Sequence, residues 1–393
     1  MNFTYRYRLL PAKRQHRALE TILEGQRQLY NAGLEERVDA YRKAGIQRSC
    51  FDQFKALTEW RDGDPEARSV PVNLQRWTLK RLDDAYDGFF RRLSAETKPG
   101  FPRYRGKGRF NSFGFHEFCG ISFDGRSIRF RGMPGRLRVH VHRPFPEGLS
   151  IKSCVFRRDV KGWTVGLVIK CPEAPPRTTY RAVGVDLGIS IFAALSDGGL
   201  IPSLRAARKA ERRLRVLRRA VSRKQAGSHC RVKARLALRR CYAQMTRARD
   251  NHLHQASARL VRDYDRIAIE GLNIKGLVRA VLAKDVHDVS WSKFISMLRY
   301  KAECAGVRLI VVDPHQTSQE CSGCGTAVPK RLSDRVHDCP SCGLRLDRDL
   351  NAARNILNRA GVGPGLRNVA GPGMRAGGNL DANVGPCVVL QSN

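Results

Sequence analysis

The chain has 393 residues, of which 72 are Lys or Arg and 36 are Asp or Glu, so its formal net charge is +36. Hydrophobic residues make up 42% of the sequence, which is enough to bury a core in each of two or three domains and excludes disorder of the whole chain. No run approaches the roughly 18 apolar residues of a membrane helix, and the first residues lack the apolar segment of a secretory signal. We therefore expect a cytoplasmic protein with no membrane partner.

The size of the positive charge indicates a polyanionic partner. A charge this large would push a compact fold apart unless a polyanion neutralised it, and strongly basic character is typical of nucleic-acid binding. An acidic membrane surface is the competing partner, but it favours one short polybasic cluster beside an amphipathic segment. Because Arg and Lys run through most of this chain, the sequence favours nucleic acid.

The first part of the chain begins with a strand and continues as helices. Residues 2–10 alternate apolar and polar side chains, which predicts a strand that ends at Pro11. Apolar residues at spacings of three and four predict helices over 13–42 and about 72–93, with a loop over 60–66. Residues 13–95 are therefore expected to form a small helical module.

A Gly-, Pro- and Arg-rich segment over 99–110 follows the helical module. Its composition suits an ordered loop that contacts nucleic acid, with Arg103, Arg105 and Lys107 as candidate contacts. Short apolar runs divided by turns then predict a small antiparallel barrel or sheet, with strands at about 112–117, 121–131, 136–142, 149–158 and 163–170. Prolines between 172 and 176 mark a boundary.

The pattern changes at residue 183 to one typical of an α/β domain. Strands are predicted at 183–187, 191–195, 266–270 and 307–312, and helices at about 203–225, 230–263 and 290–305. His252 and His254 are expected on the surface of the second of these helices. Residues 361–393 carry many Gly and few core-forming residues, so we expect them to be mostly disordered.

A strongly basic run covers residues 205–249, where 17 Lys or Arg stand against the single acid Glu211. A solvated charged face is the ordinary alternative, but such faces mix both signs. The apolar stripe of Leu214, Leu217 and Val221 would pack on the domain, leaving the other side free to contact phosphates. The candidate phosphate-binding side chains include Arg212, Arg215 and Arg219.

Four cysteines form two Cys-x-x-Cys pairs that enclose 14 residues: Cys321, Cys324, Cys339 and Cys342. Each pair is followed by Gly, which lets backbone amides turn toward sulfur. This is the spacing of a zinc ribbon, in which four thiolates surround one Zn²⁺. Four cysteine ligands leave no open position for water, so we expect the metal to be structural.

Two acids end apolar strands in the predicted α/β domain. Asp186 interrupts the apolar strand 183–187, and Glu270 ends the strand 267–270. A lone acid at a strand end is usually solvated or capping, but a buried carboxylate costs several kcal/mol and is commonly compensated by a divalent cation. Two such acids in one domain suggest a shared site.

A third acid comes from the segment 347–357, which predicts a helix. Asp347 or Asp349 could simply be the N-cap of that helix, but a helix N-terminus would also hold a carboxylate ionised for metal binding. Three carboxylates on separate elements are what a two-metal phosphodiester hydrolase requires, with hard oxygen ligands for two Mg²⁺ ions.

Five motifs follow one another along the chain, which are GVDLG (184–188), IEGLNI (269–274), CSGCG (321–325), CPSCG (339–343) and DRDLNAARNIL (347–357). In this order, they resemble the TnpB family of transposon-encoded, RNA-guided DNA endonucleases, which is related to type V CRISPR effectors. Further segments are similar to the family as well, among them QLYNAGLEERVDAYR (28–42) and FPRYRGKG (101–108). The resemblance spans nearly the whole chain up to about residue 360.

The resemblance implies a multi-domain α/β and β architecture. It comprises a wedge-type β-barrel, a helical recognition module, a RuvC-like nuclease domain of RNase H fold and an inserted zinc ribbon. The implied bounds are 1–12 with 96–180 for the barrel, 13–95 for the recognition module, 181–316 with 346–360 for the nuclease domain, and 317–345 for the zinc ribbon. Carried over by motif position, Asp186, Glu270 and Asp349 become the catalytic, Mg²⁺-binding triad, with Asp349 chosen because it begins the DxNAA signature.

The resemblance further implies the function and the partners. The expected activity is Mg²⁺-dependent cleavage of double-stranded DNA beside a short adjacent motif, directed by a guide RNA from the transposon end. One chain is expected per guide RNA. Two alternatives remain open, which are a guide-directed DNA-binding repressor without cleavage and a structural RNA-binding protein.

Overall fold

The computed structural model describes residues 2–145, 149–170, 174–178, 181–272, 289–331 and 334–361. The chain divides into two compact units, residues 1–171 and 172–393. After Gly361, the tail for which we predict disorder lies outside the described residues. Among the helices that are described, none combines the length and the apolar character that crossing a bilayer requires.

The first unit is built on one antiparallel sheet of seven strands. They are β1 (Asn2–Leu10), β2 (Ser112–Phe115), β3 (Ile121–Phe123), β4 (Ser127–Phe130), β5 (Leu137–His140), β6 (Ile151–Asp159) and β7 (Gly162–Lys170). Their order in the sheet is β2-β6-β7-β1-β5-β4-β3. The strand predicted over 121–131 is two strands, because the Asp124 carboxylate accepts hydrogen bonds from the backbone N–H of Arg126 and of Ser127 and closes a turn.

Four described helices lie between β1 and β2: α1 (Lys13–Ala44), α2 (Cys50–Gly63), α3 (Pro65–Arg68) and α4 (Val72–Ser94). The prediction of a loop over 60–66 is therefore wrong. Ser49 and Asp52 form a capping box that starts α2, and Asp64 caps α3, which has Pro65 at its first position. These caps satisfy free N–H groups of both helices, so helix continues where Gly and Pro indicate a loop.

The core of the first unit is aromatic and lies between the sheet and the helices. Phe113 and Phe156, which pair across β2 and β6, stack with their ring centroids 5.0 Å apart. Leu19 and Leu34 of α1 and Leu74 of α4 are buried in the same cluster. The apolar spacings in these helices thus mark the faces that pack on the sheet.

The second unit contains a mixed sheet of five strands, in the order β10-β9-β8-β11-β12. Their bounds are β8 (Ala182–Leu187), β9 (Ile191–Leu195), β10 (Leu200–Pro202), β11 (Arg266–Glu270) and β12 (Arg308–Val312). Strands β8, β11 and β12 are parallel, and the hairpin strands β9 and β10 extend the sheet in antiparallel fashion. The strand β10 is absent from our predictions because it has only three residues.

Four described helices belong to the second unit: α5 (Ala206–Ser222), α6 (His229–Asp263), α7 (Trp291–Cys304) and α8 (Arg348–Arg359). A two-stranded ribbon of β13 (Val336–Asp338) and β14 (Arg345–Asp347) precedes α8. The buried side chains Ala268 of β11, Val312 of β12 and Ile356 of α8 form one apolar cluster. Helix α8 therefore packs on the central strands of the mixed sheet.

The prediction that His252 and His254 lie on the surface is wrong. His254 is only 3% exposed, and His252 is half-buried with its ring 5.1 Å from that of Phe192. The C-terminal half of α6 packs against α7, and Leu253 and Leu260 are buried there. Burial of this helix half also lowers the pKa of His252, because a charged imidazolium is disfavoured away from water.

Candidate carboxylate site and cysteine cluster

Two of the predicted acids lie side by side on the central strands of the mixed sheet. Strands β8 and β11 are parallel, and Val185 stands opposite Ile269 in their register. The next residue on each strand is an acid, Asp186 on β8 and Glu270 on β11. Because the carboxyl ends of parallel strands meet at one edge of a sheet, the two carboxylates reach the same site.

The third acid comes from the first turn of α8. Asp347 is the N-cap of this helix, since its carboxylate accepts hydrogen bonds from the N–H groups of Asp349 at 2.9 Å and Leu350 at 3.2 Å. Asp349 is therefore not needed as the cap. Its carboxylate stands in the first turn of the helix, where the helix dipole favours negative charge.

The other acids act electrostatically on Asp186. Burial raises the pKa of Asp186, and with the negative charges of Glu270, Asp349 and, to a smaller extent, Asp347 the pKa reaches about 8. These contributions place Glu270 and Asp349 within Coulombic range of Asp186. Without a cation, the site disfavours ionisation of all three acids at once.

The guanidinium of Arg348 lies at this acidic site. Its Nε and Nη2 atoms donate to Oδ1 of Asp349 at 3.2 and 3.1 Å, and both side chains are less than one-fifth exposed, at 16% and 17%. The positive charge of Arg348 also lowers the pKa of Asp186, although less than burial raises it. Carboxylate oxygens are the ligands that hard divalent cations such as Mg²⁺ prefer, so these three acids, with their excess negative charge, are of the kind that could hold such an ion.

Glu270 is held by a buried hydrogen bond. Its carboxylate accepts from the hydroxyl of Thr317, and the residue is 8% exposed. Burial raises the pKa of Glu270, while the hydrogen bond from Thr317 and the positive charge of Arg359 oppose that rise. On balance the pKa of Glu270 is raised, and Thr317 and Arg359 are the two groups that favour its ionised form.

The four cysteines converge as the spacing predicts. The Sγ atoms of Cys321, Cys324, Cys339 and Cys342 all lie within 4.8 Å of one another. The Cys321–Cys342 and Cys324–Cys339 pairs are each 3.6 Å apart. Tetrahedral zinc with Zn–S bonds of about 2.3 Å needs sulfur separations of roughly 3.8 Å. The cluster could therefore hold a metal ion such as zinc.

Each half of the cysteine cluster closes with a glycine in the left-handed region. Gly325 has φ 77° and donates to the carbonyl of Cys321, and Gly343 has φ 73° and donates to the carbonyl of Cys339, each at 2.9 Å. Only glycine adopts this backbone conformation without strain. Hydrogen bonding with Thr326, and to a smaller extent with Cys342 and Cys339, lowers the pKa of Cys324 to about 6, which favours the thiolate that binds metal.

The predicted nucleic-acid contacts differ in their exposure. Arg212, Arg215 and Arg219 of α5 are exposed, as are Arg103 and Lys107 in the first unit. Arg105 is half-buried, with its guanidinium 5.4 Å from the centre of the Tyr30 ring. The backbone of Arg105 is held by the Asn31 side chain, which both donates to its carbonyl and accepts from its N–H.

Two residues of the carboxylate site are absent from our sequence predictions, Arg348 and Thr317. Arg348 lies inside the segment 347–357 and directly precedes Asp349, so its position in that motif is the signal that could have indicated a role. Thr317 precedes Cys321 by four residues and is 47 residues from Glu270, and no periodicity or spacing in the sequence links the two.

Known proteins are similar to this chain over most of its length. A protein of Streptomyces pristinaespiralis named "Putative RNA-guided DNA endonuclease" is 33% identical over 362 residues, which cover 90% of this chain and 88% of that protein. The chain belongs to the TnpB family. The similarly named InsQ of Escherichia coli K12 is 25% identical to this TnpB-family chain over 375 residues, covering 90% of the chain and 91% of InsQ.

Three family models match parts of this TnpB-family chain. They are described as "Probable transposase" (OrfB_IS605, residues 166–281), "Cas12f1-like, TNB domain" (residues 291–356) and "Helix-turn-helix domain" (residues 1–46). In this chain, the residues of the last match form the strand β1 and the single long helix α1.

A solved structure shares the fold of the chain. The Cas12f1 chain of a cryo-EM structure of the Cas12f1-sgRNA-target DNA complex matches with a TM-score of 0.58. The match covers 91% of this chain and 84% of that chain at 13% sequence identity. The architecture expected from the sequence, mixed α/β with separate sheets and a cysteine cluster, agrees with this likeness.

Proposed function

We propose that this TnpB-family chain is an RNA-guided, Mg²⁺-dependent DNA endonuclease. The observation that carries the proposal is that Asp186 and Glu270 follow paired residues of two adjacent parallel strands, and that Glu270 and Asp349, in the first turn of α8, both act electrostatically on Asp186. Relatives named as RNA-guided DNA endonucleases match along nearly the whole chain. The guide RNA would come from the transposon end, and the substrate would be double-stranded DNA beside a short adjacent motif.

The proposed domains follow the sequence expectation. The five-stranded mixed sheet with its acids at one edge supports a RuvC-like domain of RNase H fold over 181–316 and 346–360, with the zinc ribbon over 317–345. The seven-stranded antiparallel sheet supports a wedge-type barrel from 1–12 and 96–180. Helices α1 to α4 support a recognition module within 13–95.

Asp186, Glu270 and Asp349 would hold two Mg²⁺ ions. When bound, the ions would activate a water molecule and stabilise the leaving oxygen of a phosphodiester. The chain's own contribution is to hold three carboxyl groups near one another: β8 and β11 position two of them, and the capped N-terminus of α8 positions the third. Arg348 offsets part of their negative charge.

Cleavage by the purified ribonucleoprotein tests the proposal. The protein is co-expressed with its transposon end, the RNA that co-purifies is sequenced, and guide-matched plasmids carrying a randomised flanking motif are incubated with Mg²⁺. We expect cutting of guide-matched plasmids that stops with EDTA and with Asp186→Ala. Asp159→Asn, which changes a turn acid in the first unit, should cut like the wild type.

The other functions give different results in the same experiment. Guide-dependent binding of the plasmid without cutting by the wild type would identify a repressor. RNA binding with no guide-dependent capture of DNA would identify a structural RNA-binding protein. Either result overturns the proposed nuclease.

A further inference from the structure

A buried polar network joins the start of the cysteine cluster to the carboxylate site. Resting on the proposed function, we propose that Thr317 is a positioning residue for Glu270 and that the metal-bound cysteine cluster holds Thr317 in place. The carboxylate site would then reach its working geometry only when the cysteine cluster is loaded. Three sets of contacts carry this inference.

The first is the contact between Thr317 and Glu270. The hydroxyl of Thr317 donates to Oε1 of Glu270, and Thr317 is 4% exposed, so water does not compete for the bond. The carbonyl of Pro314 lies 3.3 Å from the same hydroxyl. Because a threonine hydroxyl has only one proton to donate, the carboxylate and this carbonyl share it, and the bond fixes which way Glu270 Oε1 points.

The second set of contacts ties the backbone around Thr317 to α8, the helix that carries Asp349. The amide nitrogen of Asn355 donates to the carbonyls of Thr317 and Glu320, each at 2.8 Å. Asn351 donates to the carbonyl of Glu320 at 2.7 Å and accepts from the N–H of Ser322 at 2.9 Å. Both asparagines are buried, so these bonds are costly to break.

The third set of contacts anchors the segment 317–321 on either side. Arg359 of α8 pairs with the carboxylate of Glu320 at 2.7 Å and donates to the carbonyl of Asp313 at 3.0 Å. At the other end, Cys321 is buried, and its N–H donates to the carbonyl of Thr326 at 2.9 Å. The segment 317–321 thus runs from the Glu270 hydrogen bond directly to a metal-binding thiolate.

These contacts link the cysteine cluster to the carboxylate site through one continuous set of residues. A metal ion bound by four thiolates fixes Cys321, Cys321 fixes the backbone that Asn351 and Asn355 clamp, and that backbone presents the Thr317 hydroxyl to Glu270. A metal ligand whose hydrogen-bonding partner is removed typically loses 10–100-fold in metal affinity. Loss of the thiolate-bound metal should weaken the carboxylate site in the same way as loss of the Thr317 hydroxyl.

The test compares Thr317→Val, which removes the hydroxyl at similar volume, with Thr317→Ser, which keeps it. Ser296→Ala is the control, because this exposed hydroxyl donates to a carbonyl of its own helix, that of Ser292. Each full-length ribonucleoprotein is assayed for zinc content, for Mn²⁺ affinity by electron paramagnetic resonance titration, and for the Mg²⁺ concentration that gives half-maximal cleavage.

We expect Thr317→Val to keep its zinc but to bind Mn²⁺ about 10-fold more weakly and to need about 10-fold more Mg²⁺, with Thr317→Ser near the wild type. The double variant Cys324→Ser, Cys342→Ser changes two exposed thiols and should weaken Mn²⁺ binding similarly. This second variant keeps the test decisive if Thr317→Val does not fold.

Wild-type Mn²⁺ affinity in a folded Thr317→Val would overturn the role of Thr317, and wild-type Mn²⁺ affinity in the double cysteine variant would overturn the role of the cysteine cluster. Equally weak Mn²⁺ binding in Thr317→Val and Thr317→Ser would also overturn the inference, because packing rather than the hydroxyl would then be responsible. Failure of the proposed function looks different: the wild type would not cut at any Mg²⁺ concentration, while the Mn²⁺ titrations would still report on Thr317.

Discussion

Gly184 of β8 lies directly beneath the carbonyl oxygen of Ala353 of α8: a Cβ atom built on Gly184 would be 2.0 Å from that oxygen. Gly184 and Asp186 are two residues apart on a strand, so they share the face that α8 covers. Asp349 precedes Ala353 by four residues, which is about one helical turn. The close approach of strand and helix therefore brings Asp349 toward Asp186.

Gly184→Ala should displace α8 and destabilise the protein. A methyl group cannot fit against a backbone carbonyl at 2.0 Å, so the helix that carries Asp349 must move. Overpacking of this kind costs about 1–3 kcal/mol, which corresponds to a Tm lower by roughly 2–12 °C. Calorimetry and the cleavage assay should both register the change.

Gly25→Ala is the matched control for this substitution, because Gly25 lies within α1 and a Cβ there meets nothing within 4 Å. It should leave cleavage unchanged and raise stability by up to about 1 kcal/mol. A Gly184→Ala protein that melts and cuts like the wild type would show that the spacing of β8 and α8 is not needed.

The cysteine cluster should bind about one zinc atom per chain. Elemental analysis of the purified protein measures this, and Cys324→Ser with Cys342→Ser should remove the zinc because two thiolates do not complete a tetrahedral site. Cys119→Ser with Cys230→Ser is the control, since both are exposed cysteines outside the cluster. Full zinc occupancy in the first double variant would rule out this site.

Asp349 and Asp347 should have separable roles. Asp349→Ala is expected to abolish cleavage while RNA binding and folding remain nearly intact. Asp347→Ala should lose the helix cap and cost about 0.5–2 kcal/mol, whereas Asp347→Asn keeps a capping oxygen and should be close to wild type in stability and cleavage. If Asp347→Asn is inactive and Asp349→Ala still cuts, the third acid is misassigned by two residues.

The sequence was informative where local chemistry decides the structure. The alternation in residues 2–10 and the apolar run ending at Glu270 predict β1 and β11 because burial of one or both sheet faces leaves a direct pattern. The CxxC spacing likewise predicts the cysteine cluster. Each of these features depends on neighbouring residues or on the metal's own geometry.

Features that depend on long-range packing could not be predicted. The burial of His254 follows from the packing of α6 against α7, and a basic helix gives little sign of which half is covered. The Thr317–Glu270 hydrogen bond joins residues far apart in sequence. Helix α2 continues through Gly63 because its capping box and the Asp64 cap of α3 outweigh the local loop tendency.

Replacing Arg212, Arg215 and Arg219 by Ala should weaken RNA binding without changing target preference, because phosphates carry no sequence information. The dependence of log K on log[salt] should become shallower by roughly 0.7–0.9 for each phosphate that the variant no longer neutralises. Filter binding at several salt concentrations measures the slope. The corresponding triple Lys variant keeps the charge and should keep the slope, and an unchanged slope in the Ala variant would contradict a phosphate role.

The titration of Asp186 predicts how the metal-free protein responds to pH. The pKa of Asp186 is about 8 in the folded chain and 3.8 without its surroundings. Between those pH values the folded protein binds one proton more than the unfolded chain, so stability falls as pH rises. The stabilising contribution of protonated Asp186 is thus fully present below about pH 4 and lost as pH rises through 8.

Asp186→Asn should therefore stabilise the metal-free protein most at pH 8, on the order of a few kcal/mol, and by progressively less toward pH 4. Calorimetry in EDTA between pH 5 and 8 measures the difference. Asp124→Asn is a control of opposite sign, because hydrogen bonds from Ser127 and Arg126 lower the pKa of Asp124 to about 2. Its ionised form stabilises the fold above about pH 4, so this variant should be less stable than the wild type by an amount that stays constant from pH 5 to 8.

Added Mg²⁺ extends the same prediction to the metal-bound protein. The ion should stabilise the wild type more at pH 8 than at pH 6, because it binds the ionised carboxylate, and it should stabilise Asp186→Asn less. The same calorimetric scans, repeated with Mg²⁺ in place of EDTA, measure both differences. An Asp186→Asn protein whose stability differs from the wild type equally at pH 5 and pH 8 would contradict the raised pKa and the crowding of charge at this site.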